Sequence, residues 1–556
     1  MKRLYTMMGM LLMAAVVTAQ PGWVKKATKS VFTVKTFAAD GSLIGSTCGF
    51  FTGEQGEGVS SFSPFKGASS AVVIDAQGKE MPVECMLGAN DTYDVAKFRV
   101  AAKKTTPLTI AAANATEDTQ VWLLPYRETK DIPEGTIRKA EHFGSNGHAY
   151  YTVALSMPEG TVSCPLVNTD GEVIGLMQQP NAVGDAKSFA VSALFADSLK
   201  VNGLSINDPV LRSTQIKKAL PDDLNQAQLT LYMGGSLQDS LAYVTLIEDF
   251  IAKFPKEPDG YTYRAQMLAD GHHFAEADRD MQKALKVAEK PDEVHYSYSR
   301  LILQKMVYST DTLYKAWTFD RAFDEAAEAY RLNAQPTYRQ QQAFVRYVQQ
   351  NYAEAYDIYE SLFQSSLRSA DRFYSASLCK QQLKDSTAQL ALLDSCVAQF
   401  SRPYLKEVAP YLLSRAQLLM DLGRHRQAVS DLNDYEEVMK AQVNSNFYYM
   451  RFRVETEGRL FQQALNDIEK AITMTPQSDL YYAEKASLQI RVGLYDEAVE
   501  TAKTCIQLAP EHSDGYLFLG LAQCLKDQKA EGVKNLQKAK ELGDAQADEL
   551  IEKYSK

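Results

Sequence analysis

The C-terminal part of this chain repeats with a period of 34 residues. Small residues recur at this interval at Ala464, Ala498 and Gly532, and the same interval separates Pro476 from Pro510. A period of this length is typical of a unit of two helices, with small residues where the helices cross. One such unit cannot bury its apolar face alone, so neighbouring units must stack into a superhelix with a concave surface. The sequence therefore predicts an all-helical array in this part of the chain.

The repeat also has the residue types of a known family. Gly493, Tyr495 and Ala498 follow one another as in the tetratricopeptide (TPR) repeat, and the segment resembles that family. Looser alanine spacing extends the pattern upstream. We expect a TPR superhelix of about eight to nine helix pairs over residues 225–556, ending in a capping helix.

The N-terminal half has short runs with strand character. Residues 30–37 and 94–100 alternate between polar and apolar side chains, which is the pattern of half-buried strands. Asp170-Gly171 lies between two apolar runs and predicts a tight hairpin, because both residues accept positive φ. Ten to twelve such strands indicate an all-β domain over residues 22–205, followed by a linker at 206–224.

Several motifs of this half resemble HtrA-type trypsin-like serine proteases and occur in the order of that family. They are residues 45–51, 59–68, 91–96, 160–175 and 188–191. Residues 160–175 resemble the loop that carries the nucleophilic serine, and residues 59–68 resemble the segment that carries the histidine. The resemblance implies a double barrel of the chymotrypsin fold. The predicted fold class is thus a trypsin-like double barrel followed by an all-α TPR superhelix.

The positions that this resemblance assigns to the catalytic triad do not hold a triad. Ser63 stands at the histidine position and Val162 at the serine position, and only Asp94 keeps its residue type. A serine protease needs a hydroxyl nucleophile, an imidazole base and a carboxylate that orients the base. The sequence therefore predicts a protease fold without a working triad, in which Asp94 is a polar residue retained with the fold.

One route to a rebuilt site stays open. His142 and His148 are the imidazoles of this half, and either one could act with Ser163 or Cys164. Those two residues replace glycines, which give an oxyanion loop its conformational freedom. A divergent serine or cysteine peptidase is therefore one alternative function, and a structural subunit of a cell-envelope assembly is another.

The seven cysteines contain no C-x-x-C pair, so neither a zinc ribbon nor a redox dithiol is indicated. In the fold that the resemblance implies, the strand with Cys48 passes beside the loop with Cys164. A disulfide between these two cysteines is one expectation. The other is a pair of buried thiols that pack as small apolar groups.

Residues 1–19 have the pattern of a secretory signal peptide. Lys2 and Arg3 precede an apolar run, and Ala19 ends a small-x-small cleavage pattern that makes Gln20 the first mature residue. The run is too short to span a bilayer. We expect an exported protein, periplasmic or outer-membrane-associated, in a compartment that permits disulfides. A retained N-terminal anchor is the alternative.

Composition narrows the kinds of partner. The formal net charge is -10 and no basic patch stands out, so nucleic acid is not an expected partner. No cofactor is expected, and no metal, because the adjacent His272 and His273 lack further ligands nearby in the sequence. The expected function is a non-catalytic scaffold that binds a protein or peptide in the TPR groove, with the barrel as a second docking surface.

Four residues of the helical half are candidates for partner binding. They are Phe344, Tyr347, Tyr449 and Arg453. Aromatic side chains of this kind could stack on a partner, and ordinary packing between helices is the alternative interpretation.

Overall fold

The computed structural model describes residues 22–127, 132–145, 147–179, 187–236, 240–365 and 369–555. The predicted signal peptide and Gln20 lie outside the described residues. Two closed six-stranded barrels are followed by a long series of helices, which confirms the predicted fold class. The chain forms two compact units: Met1–Met267 with Ala277–Ala288, and Leu268–Glu276 with Glu289–Lys556.

The first barrel consists of antiparallel strands in the order β1-β2-β3-β6-β5-β4. Its strands are β1 Val31–Phe37, β2 Leu43–Phe51, β3 Glu57–Ser60, β4 Ser70–Ile74, β5 Glu80–Asn90 and β6 Val95–Val100. Phenylalanine rings fill its interior, with the ring centroid of Phe32 4.7 Å from that of Phe51 and 5.9 Å from that of Phe98. The alternation along β1 places Phe32 and Val34 in this core, where both are fully buried.

The second barrel has the strand order β10-β11-β12-β9-β8-β7. Its strands are β7 Gln120–Leu123, β8 Glu134–Phe143, β9 His148–Ala154, β10 Pro165–Val167, β11 Val173–Met177 and β12 Ser188–Ser192. The expected hairpin is present, because β10 pairs antiparallel with β11. The N–H of Gly171 donates to the carbonyl of Asn168 in the turn, and Gly171 has a φ of 79°. Glycine suits this position since a side chain would strain the left-handed backbone.

Three short helices flank the barrels. They are α1 Val24–Ala27, α2 Ala193–Ser198 and α3 Pro209–Arg212.

Residues 205–219, here called the closing segment, leave the second barrel and return to the first. The N–H of Met86 on β5 donates to the carbonyl of Lys217, and the N–H of Ala219 donates to the carbonyl of Met86, both at 2.8 Å. Leu211 and Ile216 of this segment are buried in the core of the first barrel. Part of the predicted linker, residues 206–224, thus packs against the first barrel. The domain bounds 22–205 and 225–556 stay a prediction.

The helices that follow are short and mostly 12 to 15 residues long. They are α4 Leu224–Gly234, α5 Ser240–Lys253, α6 Pro258–Asp270, α7 Phe274–Val287, α8 Pro291–Tyr308, α9 Phe319–Leu332, α10 Pro336–Val348, α11 Tyr352–Ser361, α12 Ala370–Gln382, α13 Ser386–Val397, α14 Ala409–Asp421, α15 His425–Met439, α16 Ser445–Glu457, α17 Phe461–Met474, α18 Asp479–Arg491, α19 Tyr495–Leu508, α20 Ser513–Leu525, α21 Lys529–Glu541 and α22 Ala547–Tyr554.

The residues of the 34-residue period lie where neighbouring helices approach each other. Ala464 and Ala498 are fully buried. A Cβ atom at Gly520 on α20 would lie only 2.8 Å from the backbone oxygen of Gly532 on α21. The period is therefore a constraint on side-chain size, set by the short distance between helix backbones.

An arginine–aspartate pair recurs at a fixed spacing among the helices. Each arginine pairs with an aspartate 16 residues further along, as shown by Arg264–Asp280, Arg415–Asp431 and Arg451–Asp467. In each pair the guanidinium donates two hydrogen bonds to the carboxylate, a geometry that fixes the orientation of both side chains. These pairs were not predicted from the sequence, although all three share the same spacing.

Candidate functional site

A cleft of about 480 Å³ brings together the three positions that the sequence assigns to the triad. Ser63, Asp94 and Val162 all line it, and Cys48 and Gly160 line it beside them. The strands of the first barrel supply one wall, and the loop before β10 supplies the other. The structure therefore brings the three positions assigned from the sequence into one cleft.

At this site Asp94 is engaged with Ser63. The carboxylate Oδ1 of Asp94 accepts hydrogen bonds from the backbone N–H of Ser63 at 2.6 Å and from its hydroxyl at 2.7 Å. Ser63 begins a short 3-10 turn, Ser63–Phe65, whose first N–H groups need an acceptor from outside the turn. Asp94 thus caps this turn. A serine hydroxyl at the histidine position cannot serve as a base near neutral pH, since it lacks the ring nitrogen that accepts the proton.

The loop residue after Val162 points its side chain away from the cleft. Ser163 is fully buried. Its hydroxyl donates to the hydroxyl of Ser61 at 2.8 Å and accepts from the N–H of Ser61 at 3.0 Å. The hydroxyl of Thr47 also donates to it, at 3.3 Å. Ser163 has a φ of 66°, which is uncommon for a residue with a side chain.

This group of three hydroxyls was not foreseen from the sequence. Ser61 and Thr47 lie on segments more than a hundred residues before Ser163, and no local pattern connects them. Their contact depends on how the two barrels face each other. The hydroxyl of Ser163 is used to bind the two walls of the site together.

Two backbone donors of the loop before β10 have no hydrogen-bond partner among the described residues. The N–H groups of Gly160 and Val162 form no hydrogen bond with any described residue, and both residues line the cleft. By contrast, the N–H of Ser163 donates to the carbonyl of Met177, and that of Cys164 donates to the carbonyl of Thr161. Two N–H groups of this kind can donate hydrogen bonds to a carbonyl oxygen of a peptide in the cleft.

Cys48 and Cys164 are neighbours, as the resemblance implies. A hydrogen bond between the two thiols lowers the pKa of Cys48, against the opposing effect of burial. The same contact and complete burial raise the pKa of Cys164. The thiol of Cys48 also lies 3.2 Å from the carbonyl oxygen of Gly160. Both cysteines are free thiols in this structure, and the disulfide stays a prediction.

The two histidines of this half lie elsewhere. His142 is exposed at the end of β8, with Nδ1 3.1 Å from the carbonyl oxygen of Gly147. The ring of His148 packs against Phe143 and Phe195, with centroid distances of 6.0 and 5.6 Å. Neither histidine is among the described residues that line the cleft. In the described part of the chain, no group of three or more His, Cys, Asp or Glu could hold a metal ion.

The candidate partner-binding residues form two local pairs. Phe344 and Tyr347 lie one turn apart on α10. Phe344 is 46% exposed, and the ring of Tyr347 meets that of Tyr352 edge-on, with centroids 5.5 Å apart. On α16, the hydroxyl of Tyr449 donates to Glu484, while Arg453 is exposed. Phe344 and Arg453 are thus accessible, whereas the two tyrosines also take part in packing between helices.

Comparisons with known proteins agree with both halves of the chain. Residues 46–176 match the family model of the trypsin-like peptidase domain. The small glutamine-rich tetratricopeptide repeat-containing protein 2 of Saccharomyces cerevisiae is 20% identical over 196 residues, or 33% of this chain and 57% of that protein. The SGT1 homolog of Bos taurus is 30% identical over 87 residues, or 16% of this chain and 26% of that protein.

The chain therefore spans 57% and 26% of the lengths of these two relatives. Among solved structures, the active form of the Rv3671c protease from M. tuberculosis is similar at 20% identity and a TM-score of 0.29, covering 37% of this chain and 89% of that one. No described helix has the length and apolar character needed to cross a membrane. The family model, the two six-stranded barrels and the helical repeats together identify this chain as a trypsin-like domain fused to a TPR-type region.

Proposed function

We propose that this protein is an exported, non-catalytic scaffold. Its TPR-type region would bind a protein partner, and its trypsin-like domain would serve as a second docking surface. The observation that carries the proposal is the contact between Ser63 and Asp94. A hydroxyl stands where a protease needs a base, and the carboxylate that would orient that base caps a turn instead.

The residues of the loop before β10 support the same conclusion. Val162 offers no nucleophilic atom to the cleft. The hydroxyl of Ser163 is buried and holds Ser61. A trypsin-like fold alone does not establish proteolysis, because activity depends on the residues of the site.

The docking role of the barrel is supported by what the cleft still offers. Gly160 and Val162 line a cleft of about 480 Å³, and their N–H groups have no hydrogen-bond partner among the described residues. These N–H groups could donate to carbonyl oxygens of an extended peptide, which would add to the domain by backbone hydrogen bonds. Similarity to TPR proteins, with the exposed Phe344 and Arg453, supports a protein partner for the helices.

The export part of the proposal is supported by the sequence of residues 1–19. A basic start, an apolar run and a cleavage pattern ending at Ala19 have the order of a signal peptide. N-terminal sequencing of the protein from the host would give Gln20 as the first residue, whereas a start at Met1 would contradict cleavage.

The test of catalysis uses the purified mature chain. It would be treated with a fluorophosphonate probe and a thiol-directed probe, and incubated with casein, beside an active trypsin-like protease. We expect neither specific labelling nor digestion. Labelling at Ser163 or Cys164 that is lost in Ser163→Ala or Cys164→Ala, together with digestion, would establish the divergent peptidase instead.

The test of binding uses the same chain as bait in a host extract. A partner that depends on the scaffold surface should be lost in a double variant, Phe344→Ala with Arg453→Ala, and kept in Glu457→Gln, an exposed change on α16. Stoichiometric co-purification with an envelope complex that neither variant alters would favour the structural subunit.

A further inference from the structure

A second cavity, of about 650 Å³, shares no lining residue with the cleft described above. It is enclosed by residues 202–219 and by helices α4 and α5. Arg212, Lys217 and Lys218 line it together with a single acidic residue, Asp249. Three cations against one carboxylate make this an unusually positive place in a chain whose formal net charge is -10.

Only one of the three cations is neutralised. The Nζ of Lys217 donates to both oxygens of Asp249, at 3.0 and 2.8 Å. The Nζ of Lys218 donates to the backbone carbonyl of Thr214 at 2.9 Å. Within the described residues, neither Lys218 nor Arg212 forms an ion pair. Burial of Lys218, and then the charge of Arg212, lower the pKa of its ammonium group, so an anion placed between them would be favoured.

Apolar side chains also line the cavity. Leu246 and Tyr243 of α5 are half-buried there, together with Ala219 of the closing segment. Burial raises the pKa of Tyr243 to about 12, so its ring is neutral under physiological conditions. An occupant therefore meets both positive charge and apolar side chains in this cavity.

The closing segment adds a backbone edge to this cavity. The carbonyl of Lys217 accepts from the N–H of Met86 on β5, and the N–H of Ala219 donates to the carbonyl of Met86. Lys218, between them, therefore forms a parallel bridge with Met86. Backbone groups of successive residues in an extended chain point to opposite sides. Those of Lys218 therefore point away from β5, and they form no hydrogen bond with any described residue.

We propose that this cavity binds the C-terminal end of an extended peptide that finishes in an apolar residue. The terminal carboxylate would lie between Lys218 and Arg212, and the last side chain would contact Leu246 and Tyr243. The peptide backbone would pair with the free edge at Lys218. A fatty acid could use the charge and the apolar side chains, but it has no groups to pair with the backbone edge.

The site is separate from the protease-like cleft and from the TPR residues named above. It does not depend on the proposed scaffold function.

The test uses the full mature chain and a tetrapeptide, Gly-Ala-Ala-Leu, with fluorescein at its N-terminus. Fluorescence anisotropy would compare the free acid with the C-terminal amide. We expect saturable binding of the acid, weakened about tenfold or more by amidation, because one charge-assisted contact is lost. Lys218→Gln and Arg212→Gln should each lower the affinity for the free-acid peptide by a similar factor. Lys103→Gln, which removes an exposed positive charge elsewhere in the barrel unit, should leave it unchanged.

Equal binding of acid and amide to the unaltered protein would overturn the proposal, as would absence of saturation at about 1 mM peptide. So would an unchanged affinity in Lys218→Gln when its circular dichroism matches that of the unaltered protein. Fluorescent decanoate that binds tightly where the peptide does not would assign the cavity to a lipid and reject a peptide.

Discussion

The buried hydroxyl of Ser163 lies 2.8 Å from the hydroxyl of Ser61 and accepts the N–H of the same residue. This contact joins the loop of the second barrel to the strand region of the first. In a serine protease this loop presents the nucleophilic hydroxyl to the cleft. Here the hydroxyl of Ser163, the residue after Val162, is buried, and its hydrogen bonds connect the two barrels.

Replacing Ser163 by alanine should therefore reduce stability and leave function unaffected. The change leaves the N–H of Ser61 buried without its acceptor, which costs about 1–3 kcal/mol. Urea denaturation followed by tryptophan fluorescence would measure it, since Trp122 lies on β7 and the ring of Trp23 packs against it. Ser198→Ala is the matched control, because that hydroxyl is exposed. An unchanged midpoint in Ser163→Ala would contradict this role.

Mild oxidation should join Cys48 to Cys164. The two thiols contact each other, and the lowered pKa of Cys48 provides the thiolate that disulfide formation requires. Alkylation after diamide treatment, followed by peptide mapping, should find these two cysteines cross-linked. Cys85, another buried thiol of the first barrel, should remain alkylatable after unfolding and serves as the control. Recovery of both Cys48 and Cys164 as alkylated thiols would rule out the bridge.

Gly532→Ala should strongly destabilise the end of the helical region. Its Cβ would lie 2.8 Å from the carbonyl oxygen of Gly520 and would also collide with the sulfur of Cys524. The added methyl group would force α20 and α21 apart, and such overpacking lowers the free energy of unfolding by about 1–3 kcal/mol. The lost stability should appear as a lower midpoint of thermal unfolding followed by far-UV circular dichroism. Glu531→Ala, one residue earlier and exposed, should leave the midpoint nearly unchanged. Equal effects of the two substitutions would show that the helices do not touch there.

Glu455 should make the helical region less stable as the pH rises. It is 2% exposed, and burial, then the charge of Asp467, raises its pKa to about 8. The unfolded chain releases this proton near pH 4.5 and the folded chain holds it, so unfolding becomes easier between about pH 4.5 and 8. Glu455→Gln keeps the side chain neutral and should gain on the order of 1 kcal/mol at pH 7.

Denaturation midpoints at pH 5 and pH 8 would test the role of Glu455. The difference between the two midpoints should shrink in Glu455→Gln. It should persist in Glu457→Gln, whose side chain is exposed. The same pH dependence in all three proteins would place the titrating group elsewhere.

The sequence predicted what depends on local pattern. The period of small residues predicted the helix crossings, because backbone distance limits the side chain at each position. Strand alternation and the family motifs predicted the barrels, and the resemblance predicted that Cys48 and Cys164 would be neighbours. The contact of Ser163 with Ser61, and the return of the closing segment to Met86, could not be predicted. Each depends on the final placement of distant segments, and neither leaves a periodic trace.

The closing segment also determines when the first barrel can finish folding during synthesis. Leu211 and Ile216 complete the core of the first barrel, yet they are synthesised after the whole second barrel. While the ribosome is still translating residues between β6 and α3, the first barrel lacks the side chains of Leu211 and Ile216. Part of its apolar core is therefore uncovered during this time. Its completion must wait until more than a hundred further residues have emerged, so the nascent chain has an extended interval in which a chaperone can act.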